Sequence, residues 1–297
     1  MKLKYITILL LALTSLAFAS ESAIWGKDLV TNILAYDKEG SLQLGKWFTL
    51  LQGKYFSMIF LALALGVPVV FLLHYLVIGP MIFSHDRKKI PVFTVFHRVI
   101  HWIAGVSFIV LIPTGLIMIF GSTFGGGTFV RVCKELHAIA TPVFCVAVIP
   151  MLLMWLKEMI PTSDDIKWLM IMGGYLNKRK DPIPAGKFNA GQKMWFWICT
   201  LGGILMILTG AVMYFQDFKL SLITSLGLSQ IDFLRASAIV HNILGMAVVA
   251  LFMTHIYMSV FAIKGAIHSM ISGLKEEEEV EILHSTYYKK LKKEQKI

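Results

Sequence analysis

The sequence predicts an all-α integral membrane protein, a bundle of transmembrane helices. Three observations carry that reading. Of 297 residues, 57% are hydrophobic and only 15% are charged, where a soluble globular chain carries roughly 25% charged residues. Mean hydropathy is +0.71. Five uncharged apolar runs, near residues 56–79, 99–120, 136–156, 194–215 and 236–263, each reach the roughly 17–25 residues a helix needs to cross a bilayer. The last is long enough to protrude or tilt. Strands of a membrane barrel would be about half as long and alternating. No internal repeat is visible.

The segment before these runs reads as an export signal. Lys2 and Lys4 form a basic start, Ile6 to Leu16 a short apolar core, and Ala17-Phe18-Ala19 a small-residue cleavage site. Residues 1–19 are therefore expected to be removed, which places the mature start and residues 20–55 in a bacterial periplasm. Residues 56–79 then form a first span and end in the cytoplasm beside Arg87, Lys88 and Lys89. The third span ends there too, before Lys167, Lys178, Arg179, Lys180 and Lys187. The fifth ends at Lys264, which leaves residues 274–297 as a cytoplasmic tail. The outside loops near 121–135 and 216–235 carry only Arg131, Lys134, Lys219 and Arg235. This is the positive-inside bias, and it agrees with the signal. The expected location is the inner membrane of a bacterium, with the C-terminus in the cytoplasm. The run Glu276–Glu279 and the basic stretch after it read as a solvated helical tail.

The net charge of +10 does not point to nucleic acid. The basic residues flank apolar runs, whereas a nucleic-acid binder gathers them on one soluble face. Cys133, Cys145 and Cys199 lie in or beside apolar segments and read as small packing residues. Their spacing suits neither zinc nor an iron–sulfur cluster, and the absence of C-x-x-C-H excludes covalent haem attachment. An iron–sulfur centre would have to belong to a partner.

The histidines carry the chemistry. An imidazole at membrane depth is a functional-site hypothesis by default. His101 lies near the cytoplasmic start of the second span, and His137 at the periplasmic start of the third. His241 lies near the periplasmic start of the fifth, with His255 fourteen residues on, about 21 Å deeper at 1.5 Å per residue. Those fourteen residues fall roughly 40° short of four full turns, so both face nearly one way. The depths match in pairs: His137 with His241, and His101 with His255. Facing helices of a bundle build cofactor sites in this manner, and imidazole is a haem-iron ligand. The expectation is two stacked haems, each held by an imidazole on both faces, which conduct electrons across the membrane. Gly105 and Gly245, four residues after His101 and His241, would leave room for a flat macrocycle, though small residues also serve helix packing.

The other histidines compete weakly. His97 sits outside the apolar core, and His74 stands alone in the first span, suited to a packing contact. His85, His268 and His284 read as surface residues. Arg98 and Arg235 precede proposed ligands by three and six residues and would pair haem propionates, or only set topology. Before the fourth span, Asn189 and Gln192 carry amides able to hydrogen-bond a quinone carbonyl, and Gly186 and Gly191 allow close backbone approach. Asn189 serves equally as a helix N-cap.

Over residues 94–273 the chain resembles the gamma subunit of membrane-bound formate dehydrogenase, a cytochrome b. The stretches that carry the resemblance are Phe96-His97-Arg98-Val99-Ile100-His101-Trp102, Leu136-His137, Gly186-Lys187-Phe188-Asn189-Ala190-Gly191-Gln192-Lys193-Met194, Ile239-Val240-His241, and His255-Ile256-Tyr257-Met258 on to Lys264-Gly265. The resemblance implies a four-helix cytochrome b core with two b haems on the same four histidines. It implies a menaquinone site near Asn189, Gly191 and His255. It also implies a periplasmic iron–sulfur beta subunit and a molybdenum or tungsten alpha subunit that oxidises formate. On this expectation electrons reach quinone at the cytoplasmic side, where proton uptake makes the step electrogenic. The chain departs from the short four-helix form by its signal segment, residues 20–55 and the extra first span. Two rivals remain: the cytochrome b subunit of a nickel–iron hydrogenase or related reductase, and a haem-free membrane anchor or transporter. A transporter more often shows internal repeats or broken helices at the midplane.

Overall fold

The computed structural model describes residues 43–177, 179–216, 223, 225 and 229–297. The signal segment 1–19, most of the 20–55 stretch and Lys219 lie outside the described residues. Among the described residues five helices are long and apolar enough to cross a membrane: Leu44–Val77, Val95–Ile119, Gly127–Trp155, Ala190–Tyr214 and Gln230–Ala262. The sequence runs appear as helices because only a helix satisfies its own backbone in hydrocarbon. Their outward faces are bare aliphatic surface, such as Leu65, Leu72, Leu73 and Leu76 on the first span, which lipid covers.

The first span begins earlier than its apolar run. Helix α1 (Leu44–Leu50) passes through a π-turn (Leu51–Tyr55) into α2 (Phe56–Val77). Next come strand β1 (Lys89–Pro91), α3 (Val95–Ile119) and α4 (Gly127–Trp155). Helix α4 starts nine residues before its apolar run, so Arg131, Lys134 and Glu135 ride on its first turns. A short helix α5 (Ser163–Met170) precedes α6 (Ala190–Trp197), a π-turn (Ile198–Gly202) and α7 (Gly203–Tyr214). Helix α8 (Gln230–Ile256) ends in a third π-turn (Tyr257–Ala262) directly after His255. Helix α9 (His268–Ile271), strand β2 (Leu274–Glu276), α10 (Glu277–Leu283) and α11 (Ser285–Lys293) complete the chain.

The chain divides into two compact units. The first comprises the described part of Met1–Met58 with Ser107–Pro142 and Met206–Ile243. In it Asn242 Nδ2 donates to Ala238 O at 2.8 Å and to Gln52 Oε1 at 3.5 Å. Tyr214 Oη donates to Glu135 at 3.1 Å, and the Lys134 ammonium lies over the same ring.

The second unit comprises Ile59–Val106, Val143–Leu205 and Leu244–Ile297. Here the extra span is tied to the last one. His74 Nε2 lies 2.7 Å from the Tyr175 carbonyl, which can only accept, so Nε2 carries the proton. Nδ1 is then the acceptor for Tyr257 Oη at 2.5 Å. Phe71 stacks on Tyr257 with ring centres 4.3 Å apart. Backbone bonds of Met81 to Ala262 and Lys264 continue the tie. His74 is thus the packing contact its isolation in the sequence allowed.

The solvated tail is corrected. Strand β2 pairs antiparallel with β1, Ile90 opposite Lys275. Ile183 N–H donates to Ile282 O at 2.7 Å, and Ser285 and Tyr287 N–H donate to Ile183 and Ala185. Ile282 and Leu283 join Phe83, Trp168, Ile183, Ala185, Ala190 and Ile263 in one apolar cluster. The glutamate run masks a buried stripe of Val280, Leu283, Tyr288 and Leu291. His284, read as a surface residue, is 3% exposed.

Two buried ion pairs brace this cap: Lys275 with Glu279, and Lys193 with Asp165 at 2.7 Å. Lys193→Met strands the Asp165 carboxylate and is expected to cost about 3–5 kcal/mol. Thermal denaturation in detergent checks this, with Asp165→Asn in the same chain restoring part of the loss. A single variant as stable as the parent would refute it.

Candidate functional site

The first unit brings His137 and His241 face to face, ring centres 6.4 Å apart and planes at 58°. Each is seated by a Thr-Gly pair on a neighbouring span. Pro113 of α3 offers no N–H, and beside it Thr114 Oγ1 donates to Val110 O at 2.6 Å. Its proton is therefore spent, and the 3.1 Å contact with His137 Nδ1 has the imidazole as donor. On α7, Thr209 Oγ1 likewise reaches Met206 O at 3.2 Å and lies 3.0 Å from His241 Nδ1. Both rings carry Nδ1–H, so both offer an Nε2 lone pair. Gly115 and Gly210 make the approach possible: a Cβ on either would sit 3.4 Å from the imidazole Cε1.

The second unit brings His101 and His255 together, centres 6.1 Å apart and planes at 53°. His255 stacks on Trp195 at 5.7 Å and 22°. His101 meets the edge of Trp102, and its Nδ1 is buried with no hydrogen-bond partner among the described residues. No hydrogen bond joins the two rings of either pair. An iron held between two imidazole nitrogens at about 2.0 Å each, with each nitrogen about 1.1 Å from its ring centre, sets the centres about 6.2 Å apart. Both separations fit that span, and a neutral imidazole is the donor such an iron takes.

The 186–193 segment folds as an N-cap. Asn189 Oδ1 accepts from Gln192 N–H at 3.0 Å, and Gln192 Oε1 accepts from Asn189 N–H at 2.9 Å. The box uses both side-chain oxygens and leaves the two amide NH₂ groups outside it. Gly191 is small for another reason than expected: a Cβ there would sit 3.1 Å from Trp168. The tail holds this loop as well, with His284 Nδ1 on Gly186 O at 2.8 Å. Arg98 bonds the Ile271 carbonyl at the end of α9, and Arg235 pairs with Asp232 at 3.3 Å. A Cβ on Gly105 would meet only Trp102, at 3.7 Å. Cys133 and Cys199 are buried free thiols, and Cys145 is half-buried.

Residues 92–273 match the model of the prokaryotic cytochrome b561 family, well over half of the chain. This chain belongs to that family. As a prokaryotic cytochrome b561 it is a multi-pass membrane cytochrome b, and haem b is the cofactor the paired imidazoles fit. It is 28% identical over 220 residues to the cytochrome b556(Fdn) subunit of the nitrate-inducible formate dehydrogenase of Escherichia coli (strain K12), covering 70% of this chain and 94% of that one. It is 26% identical over 181 residues to the formate dehydrogenase cytochrome b556 subunit of Haemophilus influenzae, covering 59% and 72%. The cytochrome b556(fdo) subunit of the Escherichia coli K12 formate dehydrogenase is 24% identical over 218 residues, covering 70% and 95%.

Sequence reasoning missed Thr114, Gly115, Thr209 and Gly210. The signal was present, because Thr-Gly occurs in two spans, at 114–115 and 209–210. It also missed the tail's grip on the 183–187 loop. Burial and the nearby Lys275 ammonium push His284 from its ordinary 6.5 down to about 3. The folded chain holds it neutral, so below about pH 6.5 the unfolded chain binds one more proton. The cap is therefore expected to be fully stable above that pH. It should lose up to about 1.4 kcal/mol per pH unit as pH falls toward the folded value. Hydrogen exchange of residues 277–291 between pH 7 and 4 reads this, and His284→Gln should flatten the profile.

Proposed function

We propose that this chain is the membrane cytochrome b subunit of a formate dehydrogenase in a bacterial inner membrane. On this reading it passes electrons from a periplasmic iron–sulfur subunit to menaquinone at the cytoplasmic side, and a molybdenum or tungsten subunit oxidises the formate. The observation that carries the proposal is the two facing imidazole pairs at metal-bridging separation, one with both Nε2 lone pairs freed by threonine. Similarity to formate dehydrogenase subunits supports the choice of donor over hydrogen.

Two haems b, one on His137 and His241 and one on His101 and His255, supply the one-electron carriers when bound. The chain's own residues hold and tune them. Thr114 and Thr209 keep the ring nitrogens in the ligating tautomer and raise their basicity. Trp195 fixes the plane of His255. Quinone is placed beside His255 and the N-cap of α6, where the amide NH₂ groups of Asn189 and Gln192 donate to its carbonyl. Gly191 contributes by admitting Trp168 under the cap, which holds the segment still. The Lys- and Arg-rich loops at that end set the cytoplasmic orientation and put proton uptake there. Arg98 keeps guanidinium nitrogens beyond the one on Ile271, and Arg235 stands near His241 in sequence, so each is placed to approach a propionate.

An anaerobic difference spectrum of membranes with the assembled complex tests this. Formate should reduce a b-type signal, and a menaquinone analogue should reoxidise it. Reduction by hydrogen and not by formate would assign the chain to a hydrogenase, and the absence of any haem signal would leave a membrane anchor. His137→Ala and His241→Ala should each remove the same one of two components; persistence of both would overturn the ligand assignment. Thr114→Val should weaken haem retention at that pair by about 10–100-fold and raise its midpoint potential, with the other component unmoved.

A further inference from the structure

One cluster of nitrogen donors gathers round a buried indole N–H that has no acceptor among the described residues. Phe93 is its hub, in the turn before α3. The Phe93 ring lies 6.3 Å from His97, 6.1 Å from Trp155 and 6.0 Å from Phe188, and the Lys187 ammonium stands 5.4 Å above it. His97 and Trp155 are themselves 5.7 Å apart, and Trp155 and Phe188 5.5 Å. All of these residues belong to the second unit.

Trp155 is the member in need of an acceptor, and His97 and Lys187 offer partly exposed donors beside it. Trp155 is 5% exposed, and its indole N–H is buried with no partner among the described residues. The Thr94 backbone N–H donates to His97 Nδ1 at 3.2 Å, so the imidazole proton sits on Nε2. Lys187 is half-buried, and burial pulls its pKa below the ordinary value. The lysines fully buried in this unit each have a carboxylate in contact, Lys193 with Asp165 and Lys275 with Glu279. Among the described residues Lys187 has none; Glu158, the acid that acts on it electrostatically, is exposed and forms no ion pair with it. A buried indole N–H is completed by a ligand or water, and the half-buried ammonium beside it favours an anion as that ligand.

The place of the cluster narrows the ligand. His97 is four residues before His101, so both lie on one face of α3, a turn apart. We propose that Lys187, Trp155 and His97 form a carboxylate-binding cleft whose ligand is a propionate of the haem held by His101 and His255. This rests on the ligand assignment made above. The three donors match an oxyanion: a charge-assisted bond from Lys187 and neutral bonds from the indole and imidazole. A quinone carbonyl carries no charge and would leave the ammonium uncompensated.

Potentiometric titration of the b-type signal in membranes with the assembled complex tests the cleft. The relevant component is the one that His101→Ala removes and His241→Ala spares. Lys187→Gln should lower its midpoint potential, because an unneutralised propionate favours the oxidised iron. Lys187→Arg should restore the parent value, and Trp155→Phe should give a smaller shift in the same direction. The other component should stay in place and report that the chain is folded. Should Lys187→Gln fail to assemble, Trp155→Phe, which keeps a ring in the cluster, decides alone. Midpoints unchanged in both variants, or both components moved equally, would overturn the cleft. A raised KM for a menaquinone analogue with no change in potential would hand the cleft to quinone and also overturn the proposal. If His101→Ala removes no component, the ligand assignment fails and the cleft's ligand falls with it. A two-component titration in which the His101/His255 component stays unmoved in both variants defeats the cleft alone.

Discussion

A hydrogen bond between imidazole and a threonine already donating elsewhere decides what this molecule can hold. Thr114 and Thr209 each give their proton to a carbonyl of their own helix. Their oxygens can then only accept from His137 and His241. The histidine has no choice of tautomer, and its second nitrogen is left as a lone pair. Without that bond the paired rings would be two polar groups in hydrocarbon, free to bond each other. Gly115 and Gly210 belong to the same device, since a larger residue would crowd the ring the threonine holds.

Hydrocarbon imposes the same discipline elsewhere. A polar side chain inside a span must find a partner there. His74 binds a hydroxyl through one nitrogen and a carbonyl through the other. In doing so it ties the extra span to the π-turn that follows His255. Asn242 bonds Ala238 one turn back and Gln52 on the first span. The imidazoles of the two pairs stand apart from this pattern, because no hydrogen bond joins the two rings of either pair.

The four paired histidines were legible because an imidazole in an uncharged apolar run is conspicuous, and helix rise alone sorts four of them by depth. The N-cap at Asn189 was legible for a similar reason: Asn-x-x-Gln is a local pattern with a local bond. Thr114 and Thr209 were not. A threonine in a membrane helix commonly bonds the preceding turn, and these do; only the neighbouring helix shows that the oxygen is shared. The tail was misread because four glutamates in a row dominate the local charge. Its apolar stripe is also broken at His284, where the backbone leaves the helix at φ −136° and α11 starts afresh. A periodicity argument needs one continuous helix, and the chain supplies two short ones.

The two histidine pairs share a separation and differ in everything around it, and that difference has a direction. At His137 and His241 the threonine bonds make the imidazoles more basic, which would favour the oxidised state of an iron held there and lower its potential. His101 has no such bond, and His255 is held by an aromatic stack that lends its nitrogen no acceptor. The Lys187 ammonium lies on the His101/His255 side, where a positive charge favours the reduced iron. In the proposed two-haem arrangement both effects act in one sense. On that proposal the site on His137 and His241 would be the stronger reductant and the site on His101 and His255 the better acceptor. Electrons entering at the first would then run downhill to the second, the order the proposed quinone reduction requires.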